Sequence, residues 1–303
     1  MTTRLQPTHR LSYRVLSVVL RGAIGCLRLA GASNASAAGG YLARTIGMRL
    51  RATSVAERNL RQAMPELDAA GRRAVIRDVW DNLGRTVAEL PHLRDFRRTA
   101  SGPGWEIEGE AHIRALQASN RQALFFSGHL GNWELILPIA SRLGLPVSGF
   151  YRESSNPVVD RVVQAMRRRA LNPDSKLFPK GAYGARQAVS HLQRGGSLGF
   201  LVDQKMNDGV AIPFFGRDAM TAPAVAQLAL RFDLPIIPVQ VLRLGGGRFR
   251  MVCEAPLDVA RSGTRQSDIR AICIAMNETL ERWIRARPGS WLWVHRRWPK
   301  EAG

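Results

Sequence analysis

Between residues 105 and 285 short apolar runs alternate with stretches of helical periodicity, and that alternation restricts the folds open to the chain. Residues 105–108, 122–127, 146–151, 198–202, 235–242 and 248–253 read as strands, and 110–118, 157–170, 181–193, 222–232 and 267–285 read as helices. Parallel neighbours need a crossover, usually helical, between them. The pattern therefore predicts a layered α/β/α domain in which helices cover a mixed, largely parallel sheet. Upstream, 57–64 and 72–93 look helical, with Trp80, Leu83, Val87 and Leu90 at core-facing spacing. The expected organisation is a basic, apolar segment over 1–50 and a main domain over 51–303, helical in 51–100 with an α/β core in 101–303. Residues 1–40 are expected to be dispensable for the folding of the rest.

One strand ends in a sequence with chemical content. The run 122–127 leads into Gly128-His-Leu-Gly-Asn-Trp-Glu134. On one continuous helix His129 and Glu134 would lie about 140° apart, but Gly128 and Gly131 permit a tight turn. Asn132 then reads as the N-cap of a helix over 133–142, with Glu134 in its first turn, where the macrodipole favours a carboxylate. A neutral histidine takes a proton from a hydroxyl near pH 7, and a carboxylate behind it fixes the tautomer and stabilises the imidazolium. The spacing thus makes His129 a candidate general base and Glu134 its orienting carboxylate. The competing reading is a surface His–Glu pair with no chemistry. Asp203 and Gln204 follow the 198–202 strand, at the strand end where open α/β sheets place ligands.

The charge balance is one-sided: 44 Lys+Arg against 24 Asp+Glu, a formal +20. An anionic partner follows, whether nucleic acid, anionic lipid, a phosphorylated substrate or an acidic carrier protein. Arg167-Arg-Arg169 is either a solvated helix end or part of an anion site. Cys26, Cys253 and Cys273 have no spacing that supports zinc or a disulfide framework. Walker A and dinucleotide motifs are missing from the sequence, Ser127-Gly128-His129 lacks the G-x-S-x-G elbow of a serine hydrolase, and Gly245-Gly-Gly247 reads as a turn between strands. No metal or nucleotide cofactor is expected. A nucleic-acid module would account for the charge and for the alternation of aromatics and bases in 291–298, but not for the His–Glu loop.

The first acidic residue is Glu57. Before it, 11–30 is apolar apart from a few polar residues and Arg14, Arg21 and Arg28, whose seven-residue repeat places them on one stripe. This predicts a helix lying in a membrane interface, arginines toward lipid phosphates. A tilted spanning helix remains an alternative, as does a cleaved leader ending near Ala35-Ser-Ala37.

The motifs resemble those of the lipid A late acyltransferases, the lauroyl/myristoyl transferases within the His-x4-Asp/Glu glycerolipid acyltransferase group. The resemblance lies in 126–134, in Tyr151-Arg152 with Asn156-Pro157 and Asp160-Arg161, in 198–204 with Pro213-Phe-Phe-Gly216, and in 291–298. Four blocks in order cover most of the chain. The resemblance implies acyl transfer from an acyl carrier protein thioester to a hydroxyl of an anionic, membrane-bound lipid A precursor, at the cytoplasmic face of the inner membrane. Relatives that acylate phosphatidylinositol mannosides from acyl-CoA share the motif and stay as the alternative. It further implies that Arg152 and Asn156 position a phosphate or oxyanion, that Asp203 and Gln204 line the site, and that Gly128, Gly131 and Asn132 are candidates for the loop's oxyanion donors.

Overall fold

The computed structural model describes residues 7–298; the side chains of 7–12 and of Arg14, the first arginine of the stripe, lie outside the description. Three helices lead: α1 (Pro7–Gly47), α2 (Arg51–Ala63) and α3 (Ala69–Glu89). Then come β1 (Gly104–Glu108), α4 (Glu110–Ala118), β2 (Leu124–Ser127), α5 (Ile136–Arg142), β3 (Val147–Tyr151), α6 (Pro157–Arg169), β4 (Leu177–Pro179), α7 (Ala182–Gln193) and β5 (Ser197–Leu201). The chain continues through β6 (Val210–Phe214), β7 (Arg217–Thr221), α8 (Ala224–Phe232), β8 (Ile236–Gly245), β9 (Arg248–Cys253) and α9 (Arg265–Ala286).

Seven strands form one sheet in the order β1-β9-β8-β2-β5-β3-β4. All its pairings are parallel except β8 with β9. That pair is a hairpin turned through Gly245, Gly246 and Gly247, all at positive φ, as a tight turn between twisted strands requires. Every residue of β2 is buried, because helices cover both faces of a central parallel strand. Alternation divides its side chains: Leu124 and Phe126 enter a core with Leu280, Trp283 and Trp291, whereas Phe125 enters a second core with Leu135, Ile139 and Val239. The expected layered, largely parallel α/β architecture is therefore present.

Three strands escape the sequence reading. β4 spans three residues, too few to show a period. β6 and β7 form a separate antiparallel hairpin whose Pro213 argues against a strand. Its two-residue turn places Phe215 (φ 53°) and Gly216 (φ 69°) in the left-handed region, a conformation a phenylalanine does not advertise.

The N-terminal helix changes direction at Gly31, whose φ of 76° and ψ of 159° interrupt the helical backbone. Before this break Val15, Val18, Val19 and Leu29 are exposed, and the stretch from Val15 is long and apolar enough to cross a membrane by length and composition. Hydrogen bonds tie residues 27 and 28 to the body: His92 Nε2 lies 3.0 Å from the Leu27 carbonyl, and Arg28 donates to the Pro91 carbonyl at 3.3 Å. Past Gly31 the helix packs on α3. A Cβ on Gly39 would lie 2.5 Å from both the Ala88 Cβ and the Gly84 carbonyl oxygen, and one on Gly84 would run into the Gly39 carbonyl and Ala43. Ala35 and Ser36 are buried. The packing thus runs across the boundary expected at residue 50, and residues 32–47 belong to the body; deleting 1–40 would strip one face of α3.

Gly84→Ala is accordingly expected to destabilise the protein by roughly 1–3 kcal/mol through overpacking. Gly22→Ala, with nothing within 4 Å of the added methyl, should be neutral or stabilising, since alanine is the better helix former. Thermal melts of the two variants check this, and an unchanged midpoint for Gly84→Ala would argue against the close crossing.

Candidate active site

β2 and β5 are parallel neighbours, so their C-terminal ends deliver the next residues side by side: His129 from one and Asp203 from the other. Asp203 is fully buried. Its Oδ1 accepts from His129 Nδ1 at 2.8 Å, and its Oδ2 accepts from the His129 backbone N–H at 2.8 Å and from Trp291 Nε1 at 2.7 Å. Both carboxylate oxygens are thus occupied, one of them in fixing the imidazole tautomer. Nδ1 carries the proton, and Nε2 is left as an acceptor. Gln204 Nε2 stands 3.5 Å from it, and the Trp133 ring packs edge-on at 5.1 Å.

Electrostatics sharpen this arrangement. Burial by itself pushes the imidazole pKa down, but the charge and hydrogen bond of Asp203, with the charge of Glu134, outweigh it and hold His129 above the ordinary histidine value. For Asp203 burial pushes up, and the histidine's charge and hydrogen bonds with that of His295 outweigh it, so the carboxyl lies well below the usual carboxylate range. The pair is ionisable in one sense only: a permanent carboxylate beside a histidine that gains and loses a proton.

Glu134 does not hold the histidine, and this corrects the role expected for it. Its carboxylate takes a two-pronged ion pair from Arg167, with Nε donating to Oε2 at 2.8 Å. The reason is the local backbone. Asn132 caps a 3-10 turn over Trp133–Leu135 that runs on into α5, and this turn aims Glu134 at α6. Arg167 is therefore part of the site's rim, while Arg168 and Arg169 remain exposed helix-end residues.

The other expected site residues separate. Asn156 is the N-cap of α6, its Oδ1 accepting from Val158 N at 2.9 Å and Val159 N at 3.3 Å, so its carbonyl oxygen is committed to structure. Arg152 is exposed after β3 and makes no hydrogen bond among the described residues. Gly131, at φ 54°, lies against the Val241 carbonyl, and its N–H donates to the Ser290 carbonyl at 3.1 Å, which removes it as an oxyanion donor. Asn132 is also spent: Nδ2 donates to Glu89 at 2.6 Å and Oδ1 accepts from Glu134 N at 3.2 Å. Gly128 is required for space, since a Cβ there would press on Leu130, Leu280 and Asp203.

The C-terminal block is core, not surface. Trp291, Trp293 and Trp298 are buried around Phe214 and Phe215. The segment pairs with the histidine loop, Leu292 N donating to the His129 carbonyl at 3.1 Å. Its aromatics are thus unavailable for stacking on bases. Rival nucleophiles are equally disengaged. Burial pushes the thiols of Cys253 and Cys273 up to about 12 and about 11, and the buried Ser127 hydroxyl faces the Gly128 carbonyl at 3.4 Å. Trp291 and Arg167 were not singled out by sequence reasoning as partners of the motif. Nothing local signals them, because both contacts arise across the fold.

With this geometry, comparison with known proteins gives a consistent result. The family model for bacterial lipid A biosynthesis acyltransferases matches residues 5–300. The chain is similar to a lipid A biosynthesis lauroyltransferase of Escherichia coli K12, 26% identical over 264 residues, covering 82% of this chain and 79% of the relative. It is also similar to a lipid A biosynthesis myristoyltransferase of the same organism, 22% identical over 78% of this chain and 72% of the relative. A lipid A biosynthesis acyltransferase of Haemophilus influenzae is 24% identical over 85% of this chain and 81% of the relative. A match across nearly the whole chain, together with a His–Asp pair at the strand ends, places this protein in the bacterial lipid A biosynthesis acyltransferase family, as an enzyme that transfers acyl groups.

Proposed function

We propose that the protein moves a fatty acyl chain from an acyl carrier protein thioester to a hydroxyl of a lipid A precursor, with His129 as general base and Asp203 as the carboxylate that orients it. The observation that carries this reading is the Nδ1–Asp203 hydrogen bond, which leaves Nε2, with Gln204 Nε2 3.5 Å away, as the basic nitrogen of a partly accessible ring, 15% exposed. In the reaction Nε2 takes the proton of the acceptor hydroxyl as its oxygen attacks the thioester carbonyl. The tetrahedral oxyanion collapses, the C–S bond breaks, and the leaving thiolate receives the proton from the imidazolium. The charge of Asp203 stabilises that imidazolium while it exists. No acyl-enzyme is required, in keeping with the buried thiols of Cys253 and Cys273, which burial keeps protonated.

The formal charge of +20 suits a phosphorylated acceptor and an acidic carrier, and the exposed Arg152 is proposed to meet an acceptor phosphate. The experiment is mass spectrometry of lipids after the purified protein is mixed with an acyl carrier protein thioester or acyl-CoA and candidate acceptors. Acylated lipid A precursor formed from the carrier thioester supports the reading. Transfer only from acyl-CoA, or only to another glycolipid, would overturn its donor or its acceptor.

The proposed location is the cytoplasmic face of the inner membrane, with the first half of α1 lying in the interface. High salt should release part of the protein from anionic vesicles, because each basic residue near such a surface contributes about 1 kcal/mol. Retention through both high salt and alkaline carbonate would point instead to a spanning anchor.

A further inference from the structure

The site loop rests on a buried polar strut that the reaction itself does not use. Glu89, at the end of α3, is fully buried. Its carboxylate is gripped two-pronged by Arg243 of β8, with Nη2 donating to Oε2 at 3.0 Å, and it accepts the side-chain amide of Asn132 at 2.6 Å. Arg243 also donates to Asn82 Oδ1 at 3.2 Å and to Thr86 Oγ1 at 3.3 Å. Asn82 Nδ2 in turn donates to the Gly131 carbonyl at 2.9 Å and to the Ser290 carbonyl at 3.2 Å, and Thr86 Oγ1 donates to the Gly131 carbonyl at 3.2 Å. One face of α3 thus fastens the Gly131 carbonyl, two residues beyond His129, and the Asn132 side chain, three beyond, together with the C-terminal segment that pairs with the loop.

Stability does not require such a device. A buried ion pair recovers in attraction little more than it loses in desolvation, and apolar residues of similar volume often replace it without loss. A fully satisfied network does hold one geometry of a loop. We infer that Glu89 and Arg243, acting through Asn132, Asn82 and Thr86, are positioning residues that set the placement of the His129 imidazole. For its effect on turnover this inference rests on the reading of His129 as the base. Misplacing a reacting group by about 1 Å can cost 10²-fold in rate.

The test uses the full chain in detergent, with ring-15N-labelled histidine; the His129 signals are identified by their loss in His129→Ala. The double variant Glu89→Leu/Arg243→Met removes both charges together, so no charge is stranded. Its expected phenotype is a folded protein with kcat lowered roughly 10–100-fold, little change in KM, and altered His129 ring-nitrogen shifts. Glu89→Gln/Arg243→Met, which restores an acceptor for the Asn132 amide, should recover much of the rate. If the double variants fail to fold, Asn82→Ala at a half-buried position carries the test, with smaller changes of the same sign. Wild-type turnover with unchanged His129 resonances in a folded variant would overturn the inference. The resonances report the imidazole whether or not it is the base. Altered resonances alongside full activity in His129→Ala would therefore refute the catalytic reading and leave the positioning role standing.

Discussion

His129→Ala is expected to lower acyl transfer by roughly 10²–10⁴-fold, the usual worth of a positioned acid/base group, with membrane binding unchanged. Its Nε2 is the nitrogen Asp203 does not hold, at the meeting of β2 and β5, and its backbone N–H already holds Asp203, so the loop keeps that contact when the side chain is lost. Turnover of the purified variant on carrier thioester and acceptor checks this; near-wild-type rates would remove His129 from the mechanism. Glu134→Ala tests a different contact. It strips Arg167 of its carboxylate partner and leaves the Asp203 hydrogen bond intact, so activity should fall, with the acid limb shifting to lower pH by less than loss of the Asp203 charge would shift it.

Asp203→Asn is expected to be comparably severe and to move the pH profile further than Glu134→Ala does. The carboxylate fixes the Nδ1–H tautomer, and an amide in its place allows the wrong one, a change that has cost about 10⁴-fold in the serine protease triad. The sign of the pH effect follows from the charges. Transfer needs neutral His129, so the rate rises with pH through the imidazole pKa, which Asp203 and Glu134 hold above the ordinary histidine value against the downward push of burial. Removing the Asp203 charge lowers that pKa, and the acid limb of kcat/KM should shift to lower pH beneath a much reduced plateau. An acid limb that stays in place in Asp203→Asn would falsify the pairing of the two residues in the working enzyme. Trp291→Phe, which deletes the third donor to Asp203 but keeps its charge, should lower the rate by a fraction of that effect without moving the acid limb to lower pH.

The layered α/β architecture was legible in residues 105–285, because buried parallel strands and their crossover helices have different periods and both periods are written in local sequence. The strand, glycine turn and capped helix around His129 were legible for the same reason: Gly128, Gly131 and Asn132 state the backbone geometry they need. The partner of the histidine was not. Glu134 is near in sequence, but its helical turn sends it to Arg167, and the carboxylate that reaches Nδ1 lies 74 residues away at the end of the neighbouring strand. Asp203 was visible as a strand-end residue and, through the resemblance, as one lining the site, with no sign that it held the histidine. The burial of Trp291, the grip of Glu89 and Arg243 on the loop, and the close crossing of Gly39 with Gly84 were equally hidden. A sequence displays the periodicity and turn chemistry of each element, because those arise among residues within a few positions of one another. Which elements become neighbours is decided by strand order and packing, and the chemistry of this site resides in the contacts between β2, β5, α3, α6 and the C-terminal segment.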